Sequence, residues 1–109
     1  MRRPLPWMMH ADLYILSLLD ETDMVLSPHI IAIELDYNTD YVGRRCSELT
    51  EADLLQRPEE IDTRGLFEIS ELGHRYVNDE LTREEKRELE AFADPAEDSE
   101  SPPSDSSGS

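Results

Sequence analysis

Residues 36–38, Asp-Tyr-Asn, constrain this chain more than any other short segment. Before them, Ser27-Pro28 offers a capping hydroxyl followed by proline in a first turn, so a helix is expected over Ser27 to Leu35. Ile30, Ile31 and Leu35 give that helix an apolar stripe, and Ala32 is small enough to let a neighbouring helix come close. After the connector, Thr39 opens a second helical segment to about Ala52, in which Val42, Cys46 and Leu49 fall at i, i+4 and i+7 and point inward. A connector this short, polar and ended by the good capping residue Asn38 leaves no room for an independent loop. The two helices must cross and pack at once, which is a helix-turn-helix.

The flanking segments complete a small domain. His10 to Glu21 reads as a helix with Ala11, Ile15, Leu16 and Leu19 at helical spacing. Leu13, Tyr14 and Leu18 widen its apolar stripe, which fits either burial on two sides or a subunit contact. Met24, Val25 and Leu26 suit an edge strand. Leu54 to Arg57 and Leu66 to Ile69 are two short strands joined by PEEIDTRG, whose Asp62 and Gly65 are turn formers, so a hairpin is expected. Ser70 caps a further helix to about Leu81. Thr82-Arg83-Glu84-Glu85 is a capping box that opens a charged helix to Phe92. That last helix has only Leu81, Leu89 and Phe92 to bury, so it packs on the domain or on a second copy. The expected fold class is α+β, mainly α with one small hairpin, over a single domain of residues 1–93. From Asp94 the chain reads DPAEDSESPPSDSSGS, which cannot bury enough apolar area to offset its ordering entropy, and residues 94–109 are expected to be a disordered acidic tail.

Composition excludes several functions. The apolar runs are too short for a spanning helix, which needs about 20 residues. The start, MRRPLPWMM, lacks the long apolar run and cleavage site of a secretory signal, so no membrane partner and a cytoplasmic location are expected. Cys46 is the only cysteine, and His10, His29 and His74 share no ligand-like spacing, so neither a disulfide nor a metal site is expected. There is no glycine-rich phosphate loop, nucleophile elbow or paired acid and base, which argues against an enzyme and against a cofactor. The chain carries 26 acidic and 10 basic residues, a net charge of −16. Without the five acids after Ala93, residues 1–93 still carry −11. Self-repulsion of this size destabilises a compact domain in dilute buffer, whereas at about 1 M salt the Debye length falls to about 3 Å and the penalty disappears. A salt-rich cytoplasm fits this composition.

Three stretches, WMMHADLYILSLLDE, IIAIELDYNTDYVGRRCSELTEADLL and RGLFEISELGHRYV, resemble the winged helix-turn-helix proteins of halophilic archaea related to the halophage phi-H repressor. The resemblance covers about Trp7 to Leu81. It implies a DNA-binding transcriptional regulator, a repressor acting as a homodimer, with the third helix in the major groove of double-stranded DNA and the hairpin, or wing, near the backbone. Asp53 stands where such proteins usually have glycine, and Glu68 on the second hairpin strand would repel a phosphate.

Read for DNA binding, the outward face of the third helix carries Asp40, Gly43, Arg44 and Ser47, flanked by Tyr41 and Arg45. Asn38 and Thr39 sit at its N-terminus, where backbone N–H groups and the helix dipole suit one phosphate. Arg44 has the forked donors to reach guanine O6 and N7, and Arg45 is the phosphate candidate. Tyr41 and Ser47 add backbone or base contacts, Gly43 permits close approach, and Arg57 and Arg64 reach phosphates from the wing. Asp40 must point away, accept from a cytosine amino group or hold a cation. Helix one and the Thr82 to Phe92 helix are the candidate homodimer contacts. The competing reading is a winged-helix interaction module that binds a basic protein partner, with the acids lining the third helix.

Overall fold

The computed structural model describes residues 4–59 and 65–92. Arg64, the turn former Asp62 and the tail from Asp94 lie outside them. The described residues form α1 (His10–Thr22), α2 (Pro28–Leu35), α3 (Thr39–Glu51), β1 (Leu55–Gln56), β2 (Glu68–Ile69), α4 (Glu71–Val77) and α5 (Arg83–Glu90).

Local chemistry sets most of these boundaries. The Ser27 side chain accepts from the Ile30 N–H, Asn38 from Tyr41, Ser70 from Gly73 and Thr82 from Glu85, so four helices begin at their expected caps. Glu85 closes a capping box by accepting from the Thr82 N–H. Four aspartates sit in the left-handed region that favours glycine: Asp23, Asp36, Asp53 and Asp79. The first two end α1 and α2 and return their N–H groups to Leu19 O and Ala32 O. Asp53 at φ 67° therefore performs the turn for which glycine is the easier residue. Aspartate is tolerated there because its short polar side chain can hydrogen-bond locally.

The core is one cluster. Ile15, Leu16 and Leu19 of α1, Ile31 of α2, and Val42, Cys46 and Leu49 of α3 are fully buried, with Leu54, Leu55 and Tyr76 closing it. Gly73 holds α4 against this cluster. A side chain there would overlap the Leu54 carbonyl and meet Ile69 Cγ1 at 2.9 Å.

Several expectations change in the folded chain. The Met24 to Leu26 strand reduces to a single bridge, in which Leu26 and Phe67 exchange two hydrogen bonds of 2.9 Å. The Ser27 cap turns the chain into α2 immediately, so Met24 and Val25 stay exposed. The hairpin strands are shorter than expected, with Leu55 opposite Ile69 and Gln56 opposite Glu68. Leu54 belongs instead to the α3 exit, where its N–H bonds to Leu49 O. On α2, Ile30 is 42% exposed and Ile33 62%, so the buried positions are Ile31 and Ala32. Helix α4 stops at Val77 rather than Leu81, because Asp79 takes a left-handed conformation and Glu80 N–H bonds back to Arg75 O. Helix α5 stops at Glu90, and Phe92 packs on the Trp7 ring with centroids 5.0 Å apart.

Candidate nucleic-acid interface

Helix α3 divides into two faces. Its inward side is Val42, Cys46 and Leu49, all without solvent exposure. Burial pushes the Cys46 thiol up to about 12, so it acts as a small core group and not as a nucleophile. Its outward side presents Asp40, Arg44 and Ser47 to solvent, with Gly43 and Glu48 half-buried. Together with Pro28 and Thr39 these residues line an open concavity between the start of α2 and the middle of α3. A Cβ added at Gly43 would meet only Pro28 Cβ, at 4.0 Å, so packing does not demand glycine and its effect is to keep the concavity open.

At the N-terminus of α3, Asn38 Oδ1 accepts from Tyr41 N–H at 3.1 Å, while the N–H groups of the first turn point out along the helix axis. Thr39 Oγ1 lies 3.5 Å from His29 Nδ1. The Tyr41 ring packs against Tyr37 at 6.0 Å, and the Arg44 guanidinium sits 5.9 Å from the Tyr41 ring centre. That contact with an aromatic face holds the long side chain near the concavity without burying it. Among the described residues, Arg44 is the one exposed basic residue on α3, and Asp40, Glu48 and Glu51 share the helix with it.

Arg45 does not join Arg44. Its Nε donates to Asp12 Oδ1 at 2.8 Å and a terminal nitrogen to Asp12 Oδ2 at 2.7 Å. Asp12 has no exposed side-chain area and Arg45 only 15%. The hydrogen bonds to Asp12 hold the Arg45 guanidinium above its ordinary range, against the opposing effect of burial. Its charge is thus paired to α1, and little of the side chain is left exposed for the phosphate contact expected of it. Removing one member of such a pair typically costs about 3–5 kcal/mol, because the other is left charged and unpaired.

A model of the winged helix-turn-helix phage repressor domain matches residues 1–90. The chain belongs to this family. The crystal structure of the PhiH1 repressor-like protein from Haloarcula marismortui is similar, at 30% identity and a TM-score of 0.60, over 72% of this chain and 85% of that one. No curated protein matches the chain significantly. As in the family's name, the hairpin is the wing. Its described part shows Arg57 exposed, with the guanidinium 4.5 Å from the Phe67 ring centre. Glu68 is turned to Gln56, whose side-chain amide donates to it at 2.7 Å. Among the described residues no helix is long and apolar enough to cross a membrane, and no group of three or more His, Cys, Asp or Glu side chains could hold a metal ion.

Two residues at this winged-helix face escaped sequence reasoning. His29 reaches Thr39 because α2 starts beside the start of α3, and its only signal was its place just after Ser27-Pro28. Asp12 had a clearer one, an acid set among Ala11, Leu13, Ile15 and Leu16 at a position that faces the core.

Proposed function

We propose that the protein is a transcriptional repressor that binds double-stranded DNA and reads the major groove with the outward face of α3. Membership of the phage repressor family and the likeness to a repressor-like protein support a DNA-binding regulator. The observation that carries the reading is the outward Arg44, the one basic side chain at an open concavity lined by the uncharged Pro28, Thr39, Gly43 and Ser47 and by the acids Asp40 and Glu48. Arg44 is then the base-reading residue, a bidentate contact with guanine being worth about 1–3 kcal/mol of discrimination. Asn38 and Thr39 place the helix end on a phosphate, Tyr41 and Ser47 flank Arg44, and Gly43 lets the backbone approach. Arg57 and Arg64 serve the wing. Arg45 belongs to the support of α3 and not to the DNA contact. Asp40 faces solvent and selects against phosphate at its own position.

Counterion release weakens at high salt, since log affinity falls with a slope of about −0.9 per neutralised phosphate. A protein with so few free cations must therefore gain affinity from pairing, and we infer a homodimer on a two-fold related site. Most apolar side chains of α1 are already buried within the protomer, leaving Tyr14 exposed, so any α1 contact would be narrow.

The acids Asp40, Glu48 and Glu51 favour a second reading, in which α3 meets a basic protein instead of DNA. Selection from random duplex DNA in roughly molar KCl, where the acidic surface is screened, separates the two. Enrichment of a two-fold symmetric motif that is lost in Arg44→Ala supports the repressor. A folded protein that enriches nothing supports the basic partner.

A further inference from the structure

Asp12 is the one formally charged side chain in the core among the described residues. Burying an ion pair costs as much desolvation as it returns in attraction, and an apolar pair of similar volume commonly serves stability equally well. The best-attested use of such a pair is to fix register. Here the register in question is the rotation of α3 about its own axis.

The inward face of α3 rests on Val42, Cys46 and Leu49, three side chains of modest size whose contacts have no preferred direction. Beside them stand two consecutive arginines, about 100° apart around the helix. Exchanging them at Asp12 would take a turn of about that size, but a much smaller turn of α3 already carries Arg45 off Asp12 and swings Arg44 out of line. The geometry selects between them. Both Asp12 oxygens are taken by the forked donors of Arg45, at 2.8 and 2.7 Å. Oδ2 also accepts from Met9 N–H at 3.0 Å, which ties the carboxylate to the start of α1 so that it cannot follow the other arginine.

We propose that Asp12 is a positioning residue: through Arg45 it sets the rotation of α3 and so aims Arg44 at the duplex, without touching DNA itself. This rests on the DNA-reading function above.

The test replaces the pair by apolar residues, Asp12→Leu with Arg45→Met, in the full chain. Three quantities are read: the thermal midpoint, the affinity for a scrambled duplex, and the ratio of affinities for the selected and scrambled duplexes. The double variant should stay folded, melting below the parent only by the loss of the Met9 N–H bond, and hold the scrambled duplex within about twofold, yet discriminate at least tenfold less, since the aim of one bidentate arginine is worth that much. Adding Arg44→Ala to it should cost little more discrimination. In the free protein, nuclear Overhauser contacts from Val42 and Cys46 to α1 should change. Parent-like discrimination, or unchanged contacts, overturns the proposal, as does an equal loss on both duplexes. If the double variant does not fold, Arg45→Lys keeps the charge but cannot make the fork, and the same expectations apply to it. A parent that discriminates through Arg44, alongside variants that do so equally, overturns positioning alone. A parent that discriminates nothing overturns the DNA reading and this role with it.

Discussion

Helices α1 to α3 meet through fully buried aliphatic side chains, Ile15, Leu16, Leu19, Ile31, Val42 and Leu49, whereas α5 buries only Leu89 and is otherwise tied by polar links. Trp7 Nε1 donates to Leu89 O at 2.7 Å, joining residues 82 apart in sequence. Arg75 makes a two-pronged pair with Glu85 at 2.6 and 2.8 Å. Helix α4 is in turn linked to α1 by the His74–Asp20 pair and by Asn78, whose amide donates to Asp20 at 3.4 Å. The difference teaches how an acidic chain divides its labour. The helix-turn-helix is stabilised mainly by burial, which molar salt does not weaken, with the Asp12–Arg45 pair itself shielded from solvent, while the C-terminal helices are held partly by exposed contacts that respond to protonation and screening.

The comparison can be broken most decisively in the aliphatic core. Leu16→Ala should lower global stability by about 2–5 kcal/mol through lost burial and a residual cavity, measured by denaturant unfolding at fixed salt. Leu89→Ala should instead loosen α5, seen as faster amide exchange over residues 83–90 ahead of the rest. If it unfolds the whole domain as far as Leu16→Ala does, the two regions are one unit. Trp7→Phe keeps the ring packing on Phe92 but removes the bond to Leu89 O, and should cost about 0.5–1.5 kcal/mol, confined to α5 exchange. Working the other way, Asp36→Gly removes a non-glycine residue from the left-handed region and an acid from the negative end of α2. It should gain about 0.5–1 kcal/mol and raise the thermal midpoint of the whole domain.

The smallest effects are in pH, and they have opposite signs. The Arg75 guanidinium and the Thr82 N–H hold Glu85 down to about 2 from an ordinary 4.5. Its contribution is complete above the ordinary value and is lost as pH falls from about 4.5 to about 2. Asp20 raises His74 above its ordinary 6.5, so that link is complete below 6.5 and fades as pH rises through the raised value. Side-chain NMR titrations should show α5 fraying in acid and the α1–α4 contact loosening as pH rises above the ordinary histidine value. Glu85→Gln and His74→Gln should abolish the respective steps without moving the other.

Much of the helix-turn-helix was legible from neighbouring residues. The Ser27, Asn38, Ser70 and Thr82 caps bind N–H groups three positions away, so the signal and its consequence lie in the same short segment. The inward Val42, Cys46 and Leu49 followed from helical spacing in the same way. Helix ends were less legible, since α4 and α5 stop where Asp79 turns and where Phe92 meets Trp7, one a backbone conformation and the other a distant ring. At the interface, spacing marked the outward position of Arg44 but could not tell its charge from that of Arg45.

That distinction depends on Asp12, 33 residues before Arg45 and brought to it only when α1 packs on α3. Sequence by itself therefore determined the elements, their caps, the three-residue turn and the strong negative charge, all of which depend on local backbone chemistry or on composition. Tertiary structure alone decided which arginine stays free, what covers α5 and which isoleucines of α2 remain exposed, because a side chain's partner is set by how helices pack and not by its neighbours along the chain.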